Sequence, residues 1–203
     1  MAEIVCFGDS NTFGFNPRNG KRYDENTRWS GILKNKLKQN YKVVESGCNN
    51  RTCYSINPDS DELTGFKALP KCIKSTTEYL ILAVGLNDLQ KFYSSTDEEI
   101  KNGLVNLINI AKNISPKIEI IILAPSRIND NILNSYFAML FNKEAIEKSI
   151  KMSQLYIEIA NKENCKYINL DNFVKTSAID GLHYLEEEHK QIANLIINTC
   201  FKF

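Results

Sequence analysis

Five short apolar segments, separated by longer stretches with helical periodicity, constrain the fold of this 203-residue chain more than any other feature. The apolar segments are rich in Ile, Val, Leu and Tyr and lack regular alternation with polar residues, which is typical of strands covered on both faces. They lie at residues 3–7, 42–45, 79–84, 119–124 and 166–169. Strands of this kind belong to parallel sheets with helices packed on both sides.

Four amphipathic segments alternate with these strands, at residues 29–39, 96–114, 143–163 and 186–200. The second has clear end signals, because Ser95 or Thr96 can cap its start, acidic residues follow, and Pro116 lies just beyond its end. Regular strand–helix alternation requires right-handed crossovers and a parallel sheet. The sequence therefore predicts an α/β fold with a five-stranded, doubly wound sheet, and we expect residues 1–203 to form a single domain.

Composition and charge exclude several classes of protein. With 25 Lys and Arg against 24 Asp and Glu, the net charge is +1, which gives no overall attraction to nucleic acid or to an anionic membrane. No apolar run approaches the roughly 20 residues that span a bilayer, and the N-terminal segment lacks the basic residues of a signal peptide. Six cysteines occur without a C-x-x-C pair, so we expect reduced thiols in a cytoplasmic protein without nucleic-acid or membrane partners.

In a doubly wound sheet, ligands bind at the carboxyl ends of the strands, so a site is expected in the loops after the strands. The loop after the first strand reads Gly8-Asp9-Ser10-Asn11-Thr12-Phe13-Gly14. Ser10 could serve there as a nucleophile, or the hydroxyl and amide groups of the loop could cradle a phosphate, as in a flavodoxin-like flavin site. A tight turn in which Asp9 and Ser10 bind their own backbone is the third interpretation.

An Asp–His pair precedes the last predicted helix, in the sequence Asp180-Gly181-Leu182-His183. A serine nucleophile needs an imidazole base, and the base needs a carboxylate that orients it. His183 can fill the first role and Asp180 the second, because an Asp three residues earlier can fold back around the intervening glycine. The other histidine, His189, follows three glutamates inside the predicted helix, and we expect it at the surface or half-buried. The spacing of the two histidines fits no zinc motif, so no metal is expected.

Two further strand ends carry groups that could stabilise an oxyanion. The third strand is followed by Gly85-Leu86-Asn87-Asp88, in which the Asn87 amide could donate to a developing negative charge. The second strand runs into Ser46-Gly47, where Gly47 could present its backbone N–H at the same point. A capped turn and a glycine turn would explain each loop alone. Together with the serine and the Asp–His pair, however, these groups complete a set for acyl transfer.

The four blocks resemble the SGNH/GDSL hydrolase family, which is named after a serine, a glycine, an asparagine and a histidine. They occur in the family's order: Gly8-Asp9-Ser10-Asn11, Gly47, Gly85-Leu86-Asn87-Asp88 and Asp180-Gly181-Leu182-His183. The resemblance implies a flavodoxin-like, three-layer α/β/α sandwich, which is the SGNH hydrolase fold. It also implies a serine esterase that acts without a cofactor or metal on a small-molecule ester. Its expected catalytic residues are Ser10, Asp180 and His183, and its expected oxyanion hole consists of Ser10, Gly47 and Asn87.

A closer resemblance is to the arylesterase and acyltransferase branch of the family, which handles small acyl esters and can pass the acyl group to alcohols. Matching stretches include Gly14-Phe15, Thr27-Arg28-Trp29, Arg51-Thr52 and Lys91-Phe92-Tyr93. Leu86 and Asn50 depart from the residues usual in the family, and together with Asp9 and Asn11 they are expected to bind substrate. A carbohydrate O-acetyl esterase would use the same catalytic residues, and a non-catalytic or flavin-binding flavodoxin-like module remains a further alternative.

The apolar segment at residues 132–141 is difficult to place in a monomer. It predicts either a buried helix or a lid or subunit contact that flanks the site, because exposed apolar patches usually bind a partner. A subunit contact would make the protein a homo-oligomer, as members of this branch often are.

Overall fold

The computed structural model describes residues 1–93 and 95–201, and this part of the chain contains a five-stranded sheet. Its strands are β1 (Ala2–Gly8), β2 (Tyr41–Gly47), β3 (Tyr79–Ala83), β4 (Glu119–Ala124) and β5 (Lys166–Asn169). All neighbouring strands are parallel and their order is β2-β1-β3-β4-β5, which is the flavodoxin-like order. The predicted five-stranded α/β fold is therefore confirmed.

The α-helices of the described residues are α1 (Ser10–Phe13), α2 (Trp29–Leu37), α3 (Gly65–Cys72), α4 (Asp97–Ile114), α5 (Lys143–Glu163) and α6 (Glu186–Cys200). The bounds of α5 and α6 agree with the prediction. The first residue of α4 is Asp97 because Thr96 is its cap, in a reciprocal capping box with Glu99. Two helices were not predicted: α1 has only four residues, and α3 contains Pro70, which normally argues against a helix interior.

Both faces of the sheet are covered, as the apolar strands predict. Along β1, Ile4 and Cys6 belong to the core beneath α2 and α6. Val5 and Phe7 belong to the opposite core, beneath α3, α4 and α5. Because all five strands are parallel, their carboxyl ends lie along one edge of this three-layer sandwich, where the loops with the candidate residues begin.

Two further sequence expectations concern the membrane and the thiols. Within residues 1–93 and 95–201 the structure has no helix that is both long and apolar enough to cross a membrane. All six cysteines are free thiols.

Candidate active site

The segment that carries Ser10 begins where β1 ends. Asp9 caps α1, since its carboxylate accepts a hydrogen bond from the Asn11 N–H at 3.0 Å. The helix ends at Gly14, whose φ of 86° is left-handed. The N–H groups of Thr12 and Phe13 donate to the Asp9 carbonyl oxygen. The loop is therefore closed on itself, and it does not offer these amides to a phosphate.

Ser10, His183 and Asp180 form a continuous hydrogen-bonded chain at the carboxyl edge of the sheet. The Ser10 Oγ lies 2.8 Å from His183 Nε2, and His183 Nδ1 lies 2.7 Å from Asp180 Oδ2. With the ring proton on Nδ1, the imidazole donates to Asp180 and accepts from the Ser10 hydroxyl. All three residues are buried. This geometry is that of a nucleophile, a general base and an orienting carboxylate.

The second carboxylate oxygen of Asp180 is also fully engaged. It accepts hydrogen bonds from the backbone N–H groups of Leu182 and His183, both at 3.0 Å, and from the Ser177 hydroxyl at 2.9 Å. Burial alone would raise the pKa of Asp180, but its hydrogen bonds and its electrostatic interaction with His183 lower this pKa to about 2. Asp180 is therefore ionised at neutral pH and holds the imidazole in a single orientation.

The backbone on either side of His183 is tied to Asn11. The Asn11 side-chain amide donates to the Leu182 carbonyl oxygen at 3.2 Å and accepts from the Tyr184 N–H at 3.2 Å. The ring of Phe15 also packs against the imidazole, with 4.3 Å between centroids. The loop that carries the base is thus clamped to the loop that carries the nucleophile.

The two oxyanion donors expected besides Ser10 occupy different positions. Asn87 lies in a 3-10 helix (Leu86–Leu89) and lines the same cavity as Ser10 and His183. Gly47 is in register with Gly8 at the end of β2. A Cβ atom at Gly47 would overlap the backbone of α1, so only glycine allows this close approach. The structure brings Asn87 to the cavity and places Gly47 directly against the helix that begins with Ser10.

Two buried charged residues, for which the sequence indicated no role of their own, hold these loops in place. Arg51 donates to the carbonyl oxygens of Gly8 at 3.2 Å and of Ser46 at 2.5 Å, which joins the ends of β1 and β2. Asp88 accepts from three consecutive backbone N–H groups, those of residues 53, 54 and 55, at 2.5, 3.1 and 2.9 Å. Neither role was recognisable from the sequence, because each partner is a main-chain atom brought in by the fold.

A cavity of about 120 Å³ opens in front of Ser10. Its walls are largely apolar, formed by Phe15, Phe137, Leu140, Phe141 and Leu182. Its polar groups are those of Ser10, Asn49, Asn50, Asn87 and His183. Asn50 adopts a left-handed conformation with φ of 63°. Of the four residues expected to bind substrate, Asn50 is the one that lines this cavity.

Asp9, Asn11 and Leu86 lie elsewhere. They line a separate internal cavity of about 20 Å³, together with Thr12, Trp29 and several apolar residues. Burial raises the pKa of Asp9 to about 7. The structure therefore connects Asp9 and Asn11 with the capping of α1 and the clamping of the His183 loop, not with the cavity in front of Ser10.

The expectation that His189 is at the surface or half-buried is wrong. The side chain is fully buried, its Nδ1 accepts a hydrogen bond from the Trp29 N–H at 3.4 Å, and its Nε2 has no partner among the described residues. Burial lowers its pKa to about 3. The preceding glutamates suggested a solvent-exposed turn, but position 189 begins the apolar stripe of α6, with the buried residues Ile192, Ala193 and Ile196.

The apolar segment at 132–141 is not a continuous buried helix. It forms two short 3-10 helices (Asp130–Asn134 and Tyr136–Met139), anchored by the buried side chains of Ile132 and Phe141. Phe137 and Leu140 line the cavity, so the segment does flank the site. Tyr136 and Met139 are exposed, by 78% and 55%. A homo-oligomer formed through this face stays a prediction.

A parallel α/β/α sandwich with serine, histidine and aspartate hydrogen-bonded at its carboxyl edge defines a hydrolase of the SGNH type. The family model described as GDSL-like Lipase/Acylhydrolase matches residues 4–196. The chain therefore belongs to the GDSL-like lipase/acylhydrolase family, and it is a carboxylic ester hydrolase. No curated protein sequence gives a significant match.

Solved structures of similar fold include two esterases. One is Est24, described as a carbohydrate acetylesterase from Sinorhizobium meliloti, with 26% sequence identity and a TM-score of 0.90 over 98% of this chain and 97% of that one. The other is the native aryl esterase of M. smegmatis, with 23% identity and a TM-score of 0.87 over 98% and 97% of the two chains. These likenesses establish the SGNH hydrolase fold. Within the described residues, no group of three or more His, Cys, Asp or Glu side chains could hold a metal ion.

Proposed function

We propose that this protein is a serine esterase that cleaves short acyl esters through an acyl-enzyme on Ser10. The observation that carries the proposal is the hydrogen-bonded chain from Ser10 through His183 to Asp180, which opens on a cavity lined by the Asn87 amide. Such a chain supplies a nucleophile and a base whose tautomer is fixed. The cavity supplies a donor for the charge that develops on the substrate.

In the proposed mechanism, His183 Nε2 accepts the proton of the Ser10 hydroxyl as Oγ attacks the ester carbonyl carbon. The oxyanion accepts hydrogen bonds from the N–H groups of Ser10 and Gly47 and from the Asn87 amide. As the intermediate collapses, His183 returns the proton to the departing alcohol oxygen, which leaves the acyl group on Ser10. A water molecule, activated by the same imidazole, then releases the acid. An alcohol in place of water gives acyl transfer.

The size of the cavity supports a short acyl group. An engineered cavity of about 150 Å³ holds one benzene molecule, whereas the cavity in front of Ser10 measures about 120 Å³. Part of this space must also hold the reacting carbonyl group. We therefore expect acetyl and propionyl esters to fit and octanoyl esters to be excluded by Phe137, Leu140 and Phe141.

The alcohol is assigned to an adjoining groove of about 290 Å³, lined by Phe15, Pro17, Tyr136, Phe137 and Ile179. Phe15 and Phe137 line both spaces and contact the His183 ring, at 4.3 and 5.1 Å between centroids. These two rings therefore join the groove to the cavity that contains Ser10 and the His183 ring. Apart from Tyr136, the polar side chains that line the groove are those of Ser135 and Asp180. The Ser135 hydroxyl already donates to the Ile132 carbonyl oxygen, and both carboxylate oxygens of Asp180 already accept hydrogen bonds, so few polar groups are free to bind a sugar. An aryl or alkyl alcohol is the better fit.

A carbohydrate O-acetyl esterase is the second candidate. It is supported by the likeness to Est24, whose description names that activity, and by the polar side chains of Asn49 and Asn50 on one wall of the cavity. The two candidates differ in the alcohol and share the acetyl group and the catalytic residues.

Purified wild type and Ser10→Ala are tested on the p-nitrophenyl esters of acetate, butyrate and octanoate, and on a peracetylated sugar. We expect the wild type to hydrolyse the acetate fastest and Ser10→Ala to lose turnover while keeping its thermal unfolding transition. Wild-type turnover of the sugar acetate well above that of the aryl acetate would instead support the second candidate. Full turnover by Ser10→Ala would refute the proposed function.

A further inference from the structure

Gln90, which follows the 3-10 helix of the asparagine block, lies directly behind the cavity. Its side chain is 1% exposed, and its Nε2 donates to Asn87 Oδ1 at 3.0 Å and to Asn50 Oδ1 at 2.7 Å. Asn87 and Asn50 both line the cavity in front of Ser10. One buried amide therefore binds the oxygen atoms of two cavity residues that come from different loops.

Two hydrogen bonds determine which way the Asn87 amide faces, and Gln90 makes one of them. Asn87 Nδ2 donates to the Arg51 carbonyl oxygen at 3.0 Å, whereas Asn87 Oδ1 accepts from Gln90. A reversed amide would set Asn87 Oδ1 against that carbonyl oxygen and Asn87 Nδ2 against Gln90 Nε2, so both contacts would become repulsive. Of the two Nδ2 protons, one is used by Arg51, and the other is left for a ligand in the cavity.

Asn50 is oriented by the same donor. Gln90 donates to Asn50 Oδ1 and so fixes the orientation of this amide, whose nitrogen is then the donor for a ligand. The left-handed backbone of Asn50, with φ of 63°, gives its loop the turn that carries the side chain to the cavity wall. Two amide nitrogens are thus directed to the same cavity by one glutamine.

One polar atom of Gln90 has no hydrogen-bond partner of its own. Its Oε1 is buried and has no partner among the described residues. An unpaired buried acceptor lowers stability, and such atoms are rare in folded proteins. An apolar side chain would pack here without leaving Oε1 unpaired. A glutamine is needed only if both N–H groups of Nε2 are required, one for Asn87 and one for Asn50.

We propose that Gln90 is a positioning residue of the esterase, which fixes the amide of Asn87 so that its free N–H meets the oxyanion and turns the Asn50 amide towards the same substrate. This inference rests on the proposed function, because it assumes that the charge develops beside Asn87. Gln90 itself does not touch the substrate and acts through the two asparagines.

The test is a double-mutant cycle of Gln90→Met and Asn87→Ala, with kcat and KM measured on p-nitrophenyl acetate. Methionine is similar in size to glutamine and removes both donors. Loss of one oxyanion donor costs about 100- to 1,000-fold in rate, so a donor that is present but misdirected should cost about 10- to 100-fold, in kcat more than in KM. We expect Gln90→Met to have this effect on kcat in the wild-type background and almost none on kcat in the Asn87→Ala background, where the contribution through Asn50, seen in KM, persists.

Gln90→Glu is a second variant that keeps the size and polarity of the side chain. A glutamate oxygen in place of Nε2 would repel Asn87 Oδ1 and favour the reversed amide, so we expect a larger loss of kcat than in Gln90→Met. Gln154→Met is the matched control, since Gln154 is exposed and its amide pairs with Glu158 on the outside of α5. Thermal unfolding is measured for every variant, so that loss of folded protein is separated from loss of kcat.

A fall in kcat for Gln90→Met that persists in full in the Asn87→Ala background would overturn the inference, because Gln90 would then act by another route. Unchanged kcat in both Gln90 variants would overturn it as well. In either case, loss of turnover in Ser10→Ala shows that the proposed function still holds. Turnover by Ser10→Ala would instead refute the function itself.

Discussion

Truncation of Leu140 should change the acyl-chain preference of the enzyme. Leu140 lines the cavity in front of Ser10. Its backbone is held independently of its side chain, because its N–H donates to the Phe137 carbonyl at 2.9 Å and its own carbonyl accepts from the Lys91 N–H at 2.8 Å. Leu140→Ala should therefore enlarge the cavity without displacing the segment that forms its wall.

The expected magnitude follows from the apolar area that the enlarged cavity can bury. Each methylene group transferred from water to an apolar site contributes about 0.8 kcal/mol, and butyrate has two more methylenes than acetate. If the wild-type cavity rejects these two groups and the variant buries them, the transition state for butyrate gains up to about 1.6 kcal/mol relative to that for acetate. The ratio of kcat/KM for butyrate to that for acetate then rises by up to about 15-fold.

The assay compares kcat/KM for p-nitrophenyl acetate, butyrate and octanoate in wild type, Leu140→Ala and Met139→Ala. Met139 is the matched control, since it is the neighbouring residue, is 55% exposed and does not line the cavity. An unchanged butyrate-to-acetate ratio in Leu140→Ala would refute the assignment of this cavity to the acyl group. The same conclusion would follow if Met139→Ala shifted the ratio equally.

Two further predictions concern Asp180, which orients the catalytic base, and the buried His189. Asp180→Asn should lower kcat by about 10,000-fold with little change in folding, because an amide can no longer hold the Nδ1–H tautomer of His183; steady-state kinetics and circular dichroism check this. Burial lowers the pKa of His189 from 6.5 to about 3, so the unfolded chain binds a proton between these values that the folded protein does not. Stability is therefore lost as pH falls through this window, by about 2 kcal/mol at pH 5. In His189→Asn, whose Oδ1 can accept the Trp29 N–H, urea unfolding should show a smaller decline between pH 7.5 and pH 5, and an equal decline would contradict the reasoning.

The sheet was predictable because its signal is local. An apolar run such as Ile120-Ile121-Ile122-Leu123 is covered on both faces wherever it lies in a parallel sheet, and the capping residues of α4 mark its start in the sequence itself. The four blocks of the candidate site were also recognisable, because each directly follows a strand and parallel strands bring their ends to one edge.

The supporting contacts were not predictable, because they depend on partners distant in the chain. Arg51 joins two strand ends through main-chain oxygens, and Gln90 orients Asn50 across 40 positions of sequence. Nothing in the local pattern at either residue signals such a role. His189 was predicted wrongly although the signal was local. The three preceding glutamates favoured an exposed position, whereas the helical spacing from His189 to Ile192, Ala193 and Ile196 places it in the core.

The central claim is that Ser10 becomes acylated. Wild type, Ser10→Ala and Gln154→Met are mixed with p-nitrophenyl acetate, quenched in acid before turnover is complete, and analysed by intact and peptide mass spectrometry. We expect one acetyl group on the peptide containing Ser10 in wild type and in Gln154→Met, and none in Ser10→Ala. An acetyl group on a different residue, or turnover by Ser10→Ala without any acyl-enzyme, would contradict it.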